Sequence, residues 1–125
     1  MEEKVKKDNS AKGKAAREKG KRYELELAHI FQREGYPARR SVQYSGRGNG
    51  AADLVGIPAL SVESKAVERL NVRKAYEQAV ENATGTDGIP VVCHKQSRKE
   101  WLVTLSLADF LKMYKTFCPP KSDDQ

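Results

Sequence analysis

Three residues near the middle of this chain, Asp53, Glu63 and Lys65, have the types and spacing for phosphate chemistry. Hard divalent cations take oxygen ligands, and magnesium is typically held by one or two carboxylates beside a substrate phosphate, keeping several waters. An ion held in this way neutralises charge at phosphorus and lowers the pKa of a bound water. A neighbouring ammonium can orient that water, or give up a proton once its own pKa is pulled down. Glu63 and Lys65 stand two apart in the segment Ala59 to Ala66, which reads as a strand, so they share a face. Asp53 opens the preceding strand candidate, Asp53 to Ile57, and a hairpin near Gly56 and Pro58 sets it beside Glu63. The other side chains there (Leu54, Val55, Ile57, Leu60, Val62) are apolar, and charges among them are costly unless they pair or hold a metal. Glu-x-Lys alone also describes an ordinary ion pair at a strand end, so the surrounding elements must be read with it.

From Arg22 to Glu34 the pattern is helical, with Tyr23, Leu27, Ile30 and Phe31 on one apolar stripe and Gly35 and Pro37 as stop signals. Glu24 flanks that stripe on the side of Ala28 and Phe31, whereas Glu26 projects well away from it. Ala38 to Tyr44 reads as a short strand and residues 45–50 as a glycine-rich loop. Asn71 to Ala83 is a second helix with Asn71 as its N-cap and Gly85 beyond its end. Ile89 to His94 and Trp101 to Leu105 form a hairpin, and Ser106 caps a last helix from Leu107 to Tyr114. The order α-β-β-β-α-β-β-α, without internal repeats, predicts a single-domain α/β fold: a mixed five-stranded sheet with flanking helices.

Composition bounds what such a domain can be. The chain has 125 residues, room for one hydrophobic core and no second catalytic domain. Its share of charged residues is 32%, no apolar run is long enough to span a bilayer, and the N-terminus is not signal-like, which together predict a cytoplasmic protein. Cys93 and Cys118 form no metal-type pair and read as reduced thiols. The formal charge of +6 is uneven: residues 1–22 hold nine Lys or Arg against four acids, leaving the remainder nearly neutral. A basic segment on a near-neutral body suits the phosphates of nucleic acid better than it suits a solvated tail with no dedicated partner. Residues 1–18 read as a flexible basic arm, 19–117 as the folded domain and 118–125 as a disordered tail.

Asp53 followed by Glu63-Ser64-Lys65 after a short apolar strand resembles the core of the PD-(D/E)xK nucleases, which have a restriction-endonuclease-like fold. Several segments are similar to the archaeal-type Holliday junction resolvases in particular. They are the run from Lys19 through Glu24 to Leu27, the step from Gly35 to Ser41, Ser45-Gly46, Asp53-Leu54-Val55 and the segment from Gly88 to Val92. The similarity runs from about Lys19 to Leu111 and lies in the order and spacing of the segments. It implies a magnesium-dependent endonuclease, with manganese as a substitute, that nicks branched DNA symmetrically as a homodimer and leaves 5′-phosphates. It also implies Asp53, Glu63 and Glu24 as metal ligands and Lys65 as the group that positions or activates the attacking water. Arg40 and Ser45 would contact the DNA backbone. Lys19, Lys21, Arg22, Arg47, Arg73 and Lys74 are further candidates for DNA binding, and Tyr76 and Gln78 for support of the site. Two departures stand out: Ala52, not proline, precedes Asp53, and the loop from Ser41 to Ala51 is longer than in the shortest relatives.

Other signals carry less. Residues 46–50 are not a Walker loop, because no Gly-Lys-Ser/Thr follows. Cys93-His94 is too close to ligate one zinc ion, and His29 reads as a helix-surface residue. Trp101 reads as core or dimer interface rather than a base-stacking platform, and the last helix joins it as an interface candidate. Two rivals stay open: an endonuclease acting on duplex, flap or nicked DNA, and a non-catalytic nucleic-acid-binding protein of the same fold.

Overall fold

The computed structural model describes residues 2–41 and 52–122, with the backbone alone for residues 2–10. Ser45, Arg47 and the part of the first strand read as continuing to Tyr44 lie outside these residues. Eight elements follow in the expected order: α1 (Glu2–Arg33), β1 (Arg39–Arg40), β2 (Leu54–Val55), β3 (Leu60–Ala66), α2 (Val72–Ala83), β4 (Ile89–Lys95), β5 (Leu102–Thr104) and α3 (Leu107–Phe117).

The first helix begins at Glu2, twenty residues before the periodic pattern predicts. The Lys, Arg, Glu and Ala that dominate this stretch are strong helix formers even where no apolar stripe marks them. Periodicity therefore detects only the part of α1 that packs. Its end is built as expected. Gly35 adopts φ +99°, and the Gly35 and Tyr36 N–H groups donate back to the Gln32 and Phe31 carbonyls at 3.0 and 3.1 Å. This closure needs a left-handed residue, which glycine supplies without strain.

The sheet order is β1-β2-β3-β4-β5. The pairs β1–β2, β2–β3 and β4–β5 are antiparallel, while β3 and β4 are parallel with Glu63 opposite Val92, so α2 is the crossover between them. The turn from β2 to β3 fits only a glycine at position 56. Its φ is +85°, and a Cβ there would meet the Pro37 carbonyl oxygen at 2.1 Å. The chain entering β1 and the hairpin that carries Asp53 are thus in close contact.

The helices α1 and α2 build separate cores. Leu27 and Ala28 of α1 pack with Ala38, Leu54, Ile57, Val62, Val91 and Cys93. Ala75 and Ala79 of α2 pack with Val92, flanked by Leu70 and Tyr76. Alternation along β3 and β4 produces this split, because Val62 and Val92 belong to opposite faces. Both later helices are capped as read: the Asn71 side chain accepts from Lys74 N and the Ser106 side chain from Asp109 N, each at 3.0 Å. The last helix runs one turn further than expected, to Phe117, because nothing breaks the helix before Pro119. It buries none of its residues. Cys93 is buried and Cys118 exposed, both as free thiols, and burial pushes the Cys93 thiol up to about 11. Among the described residues, no helix is long and apolar enough to cross a membrane.

Candidate active site

Glu63 sits in the middle of β3, on the face covered by α2, and is only 3% exposed. Burying a carboxylate there is unfavourable unless it is neutralised or bonded. Asn82 Nδ2 donates to Glu63 Oε1 at 2.6 Å. Asp53 stands on its other side, within reach of a hydrogen bond between the two carboxyls. The backbone holds Asp53 in place rather than a long strand. Its N–H donates to the Val62 carbonyl at 3.0 Å, and its carbonyl accepts from Ser41 N at 2.9 Å. The side chain is aimed by the next residue after Glu63, whose N–H donates to Asp53 Oδ2 at 2.9 Å. The strand β2 itself begins only at Leu54, so Asp53 lies at its entrance.

The electrostatics follow from this packing. Burial, then the charge of Asp53, pushes the Glu63 carboxyl up to about 7, against the lowering effects of the Asn82 hydrogen bond and the Lys65 ammonium. Glu63 is therefore held protonated well above the ordinary carboxylate range when no cation is present. Glu24 approaches from α1 and is half-buried; Arg40 Nε donates to Glu24 Oε1 at 2.9 Å. Burial raises its pKa most, with Asp53 adding to the rise, while Arg40 and Lys65 oppose it. Lys65 thus acts on both Glu24 and Glu63, and all four predicted residues belong to one electrostatic cluster.

The match to a metal centre lies in the Asp53–Glu63 pair. Among the described residues no three His, Cys, Asp or Glu side chains form a ready metal cage, and Glu24 is occupied by Arg40. Two adjacent carboxylates nevertheless suit magnesium, which seldom takes an all-protein cage.

Glu24 and Glu26 face different partners. Glu26 turns the other way, accepting from Trp101 Nε1 at 3.1 Å and lying 3.5 Å from Lys95 Nζ. Trp101 packs edge-on against Tyr23 at 6.3 Å between centroids, as part of the core. The basic candidates divide. Lys21, Arg22, Arg73 and Lys74 are exposed, and Lys19 is half-buried. Lys19 Nζ and Arg22 Cζ lie 6.0 and 5.3 Å from the Tyr23 ring centroid. Arg40 is engaged by Glu24. Tyr76 packs on the α2 core and, with Arg73 and residues 104–107, lines a cleft of about 530 Å³ that none of the carboxylates lines. Gln78 does reach the site, through Asn82: its Nε2 donates to Asn82 Oδ1 at 3.1 Å. Asn82 is the residue that the sequence reading missed. The signal was there, since it is the one polar position in a buried stripe of alanines at 75, 79 and 83.

No family model matches the chain, and no curated protein matches it. A search of solved structures does find a neighbour. The chain is similar to the 1.6 Å structure of Hjc from Archaeoglobus fulgidus, a Holliday junction resolvase from an archaeal hyperthermophile, with a TM-score of 0.56 and 24% identity over 69% of this chain and 76% of that one. The α/β fold with its five-stranded mixed sheet and three helices is therefore one shared with a nuclease of the Hjc type.

Proposed function

We propose that this chain is a metal-dependent DNA endonuclease that hydrolyses phosphodiester bonds, and that its substrate is the four-way junction, nicked symmetrically. The observation that carries the reading is the buried Glu63 carboxyl against half-buried Asp53, with Lys65 and Glu24 beside them. A core that buries the Glu63 carboxyl beside that of Asp53 sacrifices stability, and cation binding is the use that recovers it. The likeness in fold to Hjc supports the same reading. Magnesium, or manganese in its place, would be held by Asp53 and Glu63 and would supply charge neutralisation at the phosphate and an acidified water.

The chain's own residues do the rest. The Ser64 N–H fixes the Asp53 carboxylate, and Asn82 fixes that of Glu63. Lys65, two residues on from Glu63 along β3, orients the attacking water and offsets the negative charge of the carboxylates. Glu24 completes the acidic set, and Arg40 opposes the rise in its pKa that burial causes. Lys19, Lys21 and Arg22, just before Glu24 on α1, with Arg73 and Lys74 at the start of α2, supply positive charge for DNA phosphates. Arg40, Ser45 and Arg47 belong to the same proposed contact surface. Symmetric cutting calls for two active sites related by a two-fold axis, hence a homodimer. The exposed apolar face of α3 and β5 supports that assembly, with cytoplasmic, nucleoid-associated DNA as its place of action.

The test is cleavage of a labelled four-way junction beside a linear duplex of the same sequence, with magnesium present or chelated. Asp53→Asn keeps an oxygen for the Ser64 N–H but loses the charge, so activity should fall on the order of a hundredfold or more. Paired nicks confined to the junction, and lost with chelator, are the expected result. Cutting of both DNAs would leave a nuclease of broader substrate range. Tight binding without cutting in either metal would leave a non-catalytic DNA-binding protein.

A further inference from the structure

We infer that Asn82, itself aimed by Gln78, is a positioning residue that sets the orientation of Glu63 for cation binding; the inference rests on the metal-site reading above. The helix α2 buries four residues against the sheet, Ala75, Ala79, Asn82 and Ala83. The alanines let the helix sit close over β3 and β4, and Asn82 alone brings polar atoms into the contact. An amide at such a position is unfavourable unless bonded on both sides. Both bonds are present. Nδ2 donates to Glu63 Oε1 at 2.6 Å, and Oδ1 accepts from Gln78 Nε2 at 3.1 Å, with Asn82 only 6% exposed.

The direction of this relay matters. Gln78 offers a donor to Asn82, which fixes the amide with its own donor toward Glu63. Asn82 therefore presents N–H, not C=O, to the carboxylate and ties down Oε1. The carboxylate is then left with one preferred plane, shared with Asp53. A ligand held by one oxygen loses less rotational freedom when a cation arrives, and loss of such an orienting partner typically weakens metal binding by about 10–100-fold. Gln78 lies on the exposed side of α2, one turn earlier, so the relay connects the solvent face of this helix to the floor of the site.

The experiment is Mn2+ binding to the full chain, read by electron paramagnetic resonance without DNA, so that catalysis is not the readout. Asn82→Leu should weaken binding by at least about tenfold with circular dichroism unchanged. Gln78→Glu is the more telling variant because it is exposed and keeps its shape. It turns a donor into an acceptor, so the Asn82 amide rotates and points its oxygen at Glu63. Binding should weaken about threefold or more in the wild-type background and stay unchanged in the Asn82→Leu background. A simple charge effect has the opposite sign, since an added carboxylate attracts Mn2+. Unchanged affinity in Asn82→Leu, or tighter binding in both backgrounds for Gln78→Glu, overturns the relay. Should wild type and Glu63→Gln bind Mn2+ equally, the metal-site reading fails, and the relay with it.

Discussion

The helices α2 and α3 are nearly the same length and start with the same device, a side-chain N-cap on the third backbone N–H of the turn, yet they end in opposite situations. The first carries small residues inward and is buried along three alanines and Asn82. The second carries Leu107, Phe110, Leu111, Met113, Tyr114 and Phe117, and leaves all of them exposed, Phe117 at 85%. Hydrophobicity alone predicts the reverse. The contrast shows that α2 is shaped for close approach to a polar site, where bulk would displace Glu63. Among the described residues, the large side chains of α3 join neither core cluster, and Phe110, Tyr114 and Phe117 line up at 6.0 and 6.3 Å between successive rings. Leu102 and Val103 of β5 are exposed as well, and large exposed apolar groups of this kind mark interfaces.

The comparison breaks most directly at Ala79, which is fully buried. Ala79→Leu would force α2 away from Val92 and from β3, lowering stability by about 1–3 kcal/mol, and denaturant unfolding would measure it. Cation binding should fall with it, because Asn82 rides on the same turn. Phe117→Ser is the matched change on α3. It should leave the unfolding free energy of dilute protein within about 0.5 kcal/mol. At high concentration, light scattering should show wild type near twice 14.0 kDa and this variant near the single-chain mass. If Phe117→Ser destabilised the single chain as much as Ala79→Leu, α3 would belong to the core after all, and the contrast would collapse.

How much of this was legible in the sequence differs between the two helices and the site. Element order was readable because each element has its own punctuation: Gly35, Asn71, Gly85 and Ser106 all stand at the ends they were read to mark. The beginning of α1 was not, because Lys and Ala favour a helix without leaving an apolar period. Asp53, Glu63 and Lys65 were legible as a set, since period-two alternation places Glu63 and Lys65 together and the hairpin returns Asp53. Glu24 came from the family resemblance, with its angular position on the side of Ala28 and Phe31 favouring it over Glu26. Arg40 was assigned to DNA, but the structure pairs it with Glu24, a contact between residues sixteen apart that no local pattern encodes. Asn82 escaped for the same reason: its partner is nineteen residues away, and only the packing of α2 on β3 reveals it.

The smallest effect sharpens the contrast by pH. The folded chain keeps a proton on Glu63 up to about pH 7, because of burial and the adjoining Asp53, whereas the unfolded carboxyl releases it near its ordinary value of 4.5. Between those values the folded state binds more protons than the unfolded state, so stability falls as pH rises through the window and levels off above it. Glu63→Gln removes this titration while keeping the shape and an oxygen for the Asn82 amide. In chelator, the Tm of Glu63→Gln should therefore gain on that of wild type from pH 5 to pH 8, by about a few degrees. Phe117→Ser should run parallel to wild type over the same range, since α3 touches no shifted carboxyl. Magnesium should raise the wild-type Tm more at pH 8 than at pH 5.5, because at the lower pH the ion must displace the proton on Glu63. A constant gap between wild type and Glu63→Gln at both pH values would mean that the Glu63 carboxyl titrates at its ordinary value, and the site would then be open to water rather than closed beneath α2.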